Sequence, residues 1–153
     1  MSEENVKYIA RNRKARHDYQ ITDTIEVGVE LLGSEVKSLR AGKVTISDAY
    51  AYIDKGQVFL KNLHISEYKM ASVDSHEPLR LRRLLLHKRE IRKLLSKTEQ
   101  KGMTLIPLSI YLKNNRIKIE LGVAVGRKKY DKREAIAKSE ADRRIKAALK
   151  KDQ

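Results

Sequence analysis

The chain has 153 residues, a length that suits one domain around a single core, and 41% of them are hydrophobic, which excludes a disordered chain. Its 34 Lys and Arg against 20 Asp and Glu give a formal net charge of +14, so the expected partner is a polyanion: nucleic acid or an anionic membrane surface before acidic small molecules. The absence of cysteine excludes disulfide scaffolds, cysteine-ligated zinc, iron–sulfur clusters and cysteine nucleophiles, and fits a reducing cytoplasm.

The first residues, Met1 to Asn5, are polar and acidic with no apolar run behind them, so no cleaved secretory signal is expected. Through residue 16 the chain carries Lys7, Arg11, Arg13, Lys14 and Arg16 with few apolar residues, which reads as a basic N-terminal arm over 1–16, ordered from about Tyr8. From His17 onward Tyr19, Ile21, Ile25, Val27 and Val29 fall on alternate positions, the mark of a strand with one buried face. Gly33-Ser34 opens a short helix, with Ser34 as N-cap, Glu35 in the first turn, Val36 and Leu39 inward and Gly42 as the stop.

Two β-rich runs, 45–53 and 57–65, flank Asp54-Lys55-Gly56, whose glycine supplies the positive φ of a tight hairpin. In the second run Phe59, Leu63 and Ile65 are expected on one face with Val58 and Leu60 on the other, which favours a barrel or sandwich over an open sheet. Residues 68–78 read as a loop, and Pro78 as the start of helix reaching toward Gly102. Leu81, Leu84, Ile91 and Leu95 share its apolar arc, Arg82, Arg89, Lys93 and Lys97 its basic one, with a break near His87. A second hairpin, 104–111 and 117–125, turns at Asn114-Asn115.

The longest apolar stretch, Leu105 to Leu112, is broken by Pro107 and is far shorter than the ~20 residues that span a bilayer, so no membrane segment is expected. Residues 127–153 hold eleven Lys or Arg and five acids, and Ile136, Ile145 and Leu149 are the only large aliphatics. Glu134 and Lys138, Glu140 and Arg144, and Asp142 and Lys146 stand four apart with the acid first, a spacing that supports a helix. A tail disordered when free and helical when bound is expected, about 40 Å long if fully helical, which implies a partner with a long anionic channel.

Chemistry of turnover is absent from the pattern. His17, His64, His76 and His87 are too widely spaced for a helical metal pair, no phosphate-binding glycine loop or nucleophile elbow occurs, and the carboxylates are scattered or set beside bases. No cofactor, no metal and no catalytic residue are expected. Gly122 and Gly126 read as sites of close backbone packing. Three separate basic segments favour nucleic-acid binding, and only 5% aromatic residues, with no Trp and one Phe, speak against a single-strand stacking platform, although Tyr50 and Tyr52 share a strand face. Recognition of a folded RNA through shape, phosphates and 2′-hydroxyls is the better fit.

Four strings carry a resemblance: Asn12-Arg13-Lys14-Ala15-Arg16-His17-Asp18-Tyr19, the run from Gly33-Ser34-Glu35-Val36-Lys37 to Gly42-Lys43, Arg83-Leu84-Leu85-Leu86-His87-Lys88-Arg89-Glu90, and Gly122-Val123-Ala124 through Asp131-Lys132-Arg133. In order and spacing they closely resemble the small protein B family, the SsrA-binding proteins that partner transfer-messenger RNA in bacterial trans-translation. The resemblance implies a mainly β protein with helices: an OB-like antiparallel β-barrel with flanking α-helices over 17–126 and a basic C-terminal tail over 127–153. It also implies a non-enzymatic cytoplasmic adaptor that binds the tRNA-like domain of transfer-messenger RNA and delivers it to stalled ribosomes for rescue and tagging of the nascent peptide. The tail would enter the empty messenger channel at the decoding centre.

By motif, Asn12, Arg16, His17, Glu26, Leu85 and Lys118 match RNA-binding positions of the family. Arg16 and Lys118 would meet phosphates, and His17 would stack on or hydrogen-bond to a loop nucleotide. Glu26, an odd residue for an anion binder, is expected to orient a neighbouring Lys or Arg. Leu85 is either a helix core residue or an apolar contact with an unstacked base, and Lys37 and Arg40 either contact RNA or flank it. Lys128, Lys129, Asp131, Lys132 and Arg133 match the segment that acts on the ribosome. The chain departs from the family pattern at Ser34, where Thr or Trp is usual, and at Val125, where Lys is usual. The alternative reading is a general basic RNA-binding or ribosome-associated protein; a monomer is expected, since no coiled-coil seam is visible.

Overall fold

The computed structural model describes residues 5–68, 75–99 and 102–127, and the expectations for residues 128–153 lie outside them. Nine strands and three helices follow one another in these residues: β1 (Val6–Arg11), α1 (Arg13–Asp18), β2 (Tyr19–Val29), α2 (Gly33–Arg40), β3 (Val44–Thr45), β4 (Tyr50–Asp54), β5 (Gln57–Lys61), β6 (His64–Ile65), β7 (Arg82–Leu85), α3 (Lys88–Thr98), β8 (Met103–Lys113) and β9 (Arg116–Gly126).

Six strands close a ring in the order β8-β4-β5-β7-β2-β9, with β9 returning to β8. Closure leaves no open edge within the ring, the OB-like solution expected of the fold. The free edge of β8 is shared, β4 meeting it at Leu105 and β1 along residues 109–113. The basic segment read as an arm is therefore built into the sheet: its described residues are an edge strand and a helix. β3 and β6 form a separate two-stranded pair.

Both expected hairpins are present. Lys55 and Gly56 have φ of 50° and 74°, and Asn114 and Asn115 φ of 51° and 66°, the left-handed pairs that match the twist of the flanking strands. The helix expected from Pro78 forms only in its second part. Residues 82–85 are strand β7, whose alternation is inverted in character: Arg82 and Leu84 are buried, Arg83 and Leu85 exposed. Arg82 lies inward because Glu35 is enclosed beside it, a pairing between residues 47 positions apart that local pattern cannot reveal. α3 starts at Lys88, where the His87 N–H donates to the Glu90 side chain at 2.9 Å.

The barrel interior is filled by Val27, Val58, Leu60, Leu84, Leu105, Ile110, Ile119, Leu121 and Val123, with Leu39 and Leu94 closing from the helices. Leu63 and Ile65 join Val58 and Leu60 there rather than Phe59, because Asn62 at φ 64° ends the alternation between them. A smaller cluster of Ala15, Ile106, Leu108 and Ala124 lies outside the barrel beneath α1, with Tyr19 and Ile21 packed on it.

Two irregularities create that cluster. The β2 register with β9 slips between Ile21 and Asp23, and the β8 register with β9 slips between Pro107 and Ser109. One extra residue reverses strand parity. Tyr19 and Ile21 thus turn away from the barrel while Ile25 and Val27 point into it, so the single buried face expected of β2 is split between two cores. Gly122 completes the fit: a Cβ there would stand 2.8 Å from Leu108 Cδ1.

α2 begins one residue before the expected cap. Leu32 is its N-cap, its N–H donating to Glu35 Oε1 at 2.7 Å, while Ser34 Oγ bonds His76 Nδ1 at 2.9 Å. Glu35 is fully buried, receiving Arg80 Nη2 at 2.6 Å and Arg82 Nε at 2.5 Å. Arg82 also donates to the Leu63 and Pro78 carbonyls at 2.6 and 3.1 Å. This knot ties α2, β7 and the chain after β5 together.

Candidate nucleic-acid interface

Two groups of the residues singled out in the sequence occupy opposite ends of the β2–β9 ribbon. At one end, Tyr19 pairs with Gly126; at the other, Gly28 pairs with Lys118. Eight residue steps of β9 separate them, about 26 Å of strand.

The first end is organised by α1. Asn12 caps the helix, its Oδ1 accepting from the Ala15 N–H at 3.0 Å, and its Nδ2 donates to the Pro107 carbonyl at 3.0 Å. It is buried, and these bonds commit its side chain to fixing α1 against β8. Its reward is an α1 that presents Arg16 and His17 to solvent. Arg16 approaches Glu120 at 3.8 Å, and His17 Nδ1 meets Asp18 Oδ1 at 2.9 Å. Arg127 straps the end of β9 to the same helix, donating to the His17 carbonyl at 2.9 Å and the Arg16 carbonyl at 3.1 Å. An open depression lies here, bounded by His17, Tyr19, Thr104, Gly126 and Arg127.

At the other end a single cross-strand row runs over five strands on the outer face: Tyr8, Tyr111, Lys118, Gly28 and Leu85, each the register partner of the next. Gly28 keeps the row flat, since a Cβ there would press to 3.3 Å on Leu85 Cβ. Leu85, on a strand and 47% exposed, is no helix core residue; it is an apolar side chain offered to solvent beside a cation. Val36 of α2 borders the same groove as Leu85 and Lys118, whereas Lys37 and Arg40 stand on the exposed side of α2 and do not line it. Lys37 Nζ sits 5.4 Å from the Tyr68 ring.

Glu26 lies one register step from this row. It accepts from the Tyr111 hydroxyl at 2.5 Å and from Lys113 at 3.3 Å, and these bonds, Tyr111's foremost, hold its carboxyl below the ordinary carboxylate value. Burial and the Glu26 carboxylate together push the Tyr111 phenol up, so it stays a neutral donor. The expected pairing of Glu26 with a neighbouring Lys is present in Lys113, and Tyr111 joins it. No local pattern marks Tyr111, because the bulge at Leu108 sets which face of β8 it occupies. Lys128, Lys129, Asp131, Lys132 and Arg133 lie outside the described residues.

Among the described residues no group of three His, Asp or Glu side chains is placed to hold a metal ion, and no helix is long and apolar enough to cross a membrane. Residues 9–151 match the family model described as SmpB protein. The chain is 56% identical over its whole length to an SsrA-binding protein of Halothermothrix orenii, covering 99% of that protein, and 53% identical over 99% of its length to an SsrA-binding protein of Acetivibrio thermocellus, again covering 99%. A chain from the solved structure "tmRNA-SmpB: a journey to the center of the bacterial ribosome" superposes with a TM-score of 0.65 at 50% identity, over 76% of this chain and 82% of that one.

Proposed function

The chain belongs to the SmpB protein family, and from that premise we propose that the outer face of its β-barrel is the surface on which it carries RNA. The protein is a transfer-messenger RNA-binding adaptor of trans-translation, and its partners are that RNA and the ribosome. The match to the family over residues 9–151 is the observation that carries this reading.

The geometry supports a division of labour. Arg16, beside Glu120, and Lys118 offer cations along the β2–β9 ribbon, so a folded RNA helix lying on it is held through its phosphates. Leu85 supplies an apolar contact beside Lys118 for an unstacked base. His17 bonds or stacks at the α1 end, Glu26 orients Tyr111 and Lys113, and Asn12 holds α1 in place. Lys37 and Arg40 form a secondary basic flank. Residues Lys128, Lys129, Asp131, Lys132 and Arg133 act on the ribosome, not on the isolated RNA. The protein works by binding rather than turnover, in the cytoplasm.

A titration of the full chain against transfer-messenger RNA and an unrelated structured RNA of equal length, each at two salt concentrations, tests the reading. A preference that survives at high salt is expected, since charge alone binds both RNAs and fades with salt for both. Equal affinities that collapse together would overturn it. Truncation after Arg127 keeps the strap onto Arg16 and His17, so RNA affinity is expected to persist while ribosome rescue is lost.

A further inference from the structure

Several cations on the outer surface are already paired with acids. Arg16 faces Glu120, Arg83 faces Glu30, Lys14 faces Asp48 and Lys97 faces Asp23. Arg11, at the end of edge strand β1, makes no ion pair among the described residues, yet it is not loose. Its guanidinium carbon lies 4.1 Å from the centroid of the Tyr8 ring, and Tyr8 in turn packs on Tyr111 with centroids 5.6 Å apart. Tyr8 is half exposed, so the stack stands at the surface.

Its position is as informative as its chemistry. Tyr8 begins the cross-strand row that leads through Tyr111 to Lys118 and Leu85, and Arg11 begins the next one through Ser109 to Glu120 and Glu26. Arg11, Arg13 and Arg16 also border one concavity with Tyr8 and Glu120. The stack therefore fills the stretch of outer face between Arg16 and Lys118.

We infer that Tyr8 and Arg11 form a further RNA-binding site, in which the guanidinium, backed by the Tyr8 ring, takes an unpaired base of transfer-messenger RNA on its outer face and a neighbouring phosphate on its N–H edge. A guanidinium is weakly hydrated, planar and able to stack and donate at once, which an ammonium is not. The ring beneath it has already fixed its plane, so little freedom is lost on binding. The inference rests on the RNA-binding reading above.

The experiment uses the full chain with transfer-messenger RNA and the unrelated structured RNA. The variants are Arg11→Ala, Arg11→Lys, Tyr8→Leu and, as a charge control distant in the fold, Arg89→Ala on α3. Arg11 is exposed, and unchanged thermal unfolding of each variant is checked first. The site predicts that Arg11→Ala weakens transfer-messenger RNA binding about tenfold, the scale of one stacked base. Arg11→Lys should recover the salt slope but not the affinity, Tyr8→Leu should lose about threefold or more, and Arg89→Ala should stay within twofold. If the wild type prefers transfer-messenger RNA and Arg11→Ala matches Arg89→Ala, the inference is overturned and the adaptor reading stands. Full rescue by Arg11→Lys would also overturn it, leaving only a point charge. If the wild type shows no preference, the adaptor reading falls and takes this site with it.

Discussion

Glu35 and Glu26 both accept hydrogen bonds from cationic side chains, yet they do different things. Glu35 accepts from two arginines and the Leu32 N–H with no exposure to water. Glu26 accepts from a phenol and a lysine at the barrel surface, its side chain 38% exposed. Both carboxyls are held below their ordinary value of 4.5. Burial alone pushes the Glu35 carboxyl up, and the bonds from Arg80, Leu32 and Arg82 together outweigh it. The lesson is that charge pairing does not say what a carboxylate is for; enclosure does. An enclosed pair is a fold element that cannot lose one member, whereas an exposed one only sets the shape and charge of a surface.

Removing one partner of the enclosed knot is the strongest way to break this comparison. Glu35→Ala leaves the Arg82 guanidinium buried without its counter-ion and is expected to cost about 3–5 kcal/mol in urea unfolding at neutral pH. A loss under about 1 kcal/mol would mean that water reaches Arg82 and the contrast is false. The knot also predicts a pH signature. Because the native Glu35 carboxyl binds its proton less readily than the unfolded one, its contribution is complete above 4.5 and is lost as pH falls through the lower native value. The wild type should therefore lose stability faster than Glu35→Ala below that point, as read by unfolding at a series of acidic pH values.

Gly122→Ala probes the seam between fold and surface. The added methyl group meets Leu108 at 2.8 Å in the small cluster under α1, so about 1–3 kcal/mol of stability is expected to go. Because α1 carries Arg16 and His17, affinity for transfer-messenger RNA should fall with it. A stability loss with unchanged affinity would show that α1 does not need that packing to present its side chains.

Glu26→Gln sharpens the comparison from the other side. Stability should change by less than about 1 kcal/mol, as for an exposed pair. Taking a negative charge from an RNA-binding face would by simple electrostatics raise affinity. We expect a fall of about threefold or more instead, because Lys113 loses its counter-ion and Tyr111 its charged acceptor. Tighter binding in the same titration would reduce Glu26 to a bystander.

How much of this was legible in the chain differs by element. The two hairpins followed from Lys55-Gly56 and Asn114-Asn115, since a turn is a property of the residues that make it. The basic character of the partner surface followed from net charge, and the family from four strings at fixed spacing. Leu81, Leu84, Ile91 and Leu95 carry a helical period that predicts helix across β7, whose true alternation hides behind a buried arginine. The segment before α1 gave no sign of pairing, since a short polar edge strand needs only one neighbour. Tyr8, Arg11 and Tyr111 were invisible as a group.

Local chemistry, then, determined what can be decided within a few residues: turns, helix signals, overall charge and the motifs that mark the family. Tertiary structure alone decided which arginine is enclosed, which face each strand turns outward and which side chains meet across the sheet. The physical reason lies in the two bulges and the 47-residue span from Glu35 to Arg82: one inserted residue inverts a strand's faces, and a distant acid makes a buried cation tolerable. Neither effect has a local signature, because both are set by the partner strand or helix rather than by the segment that shows them.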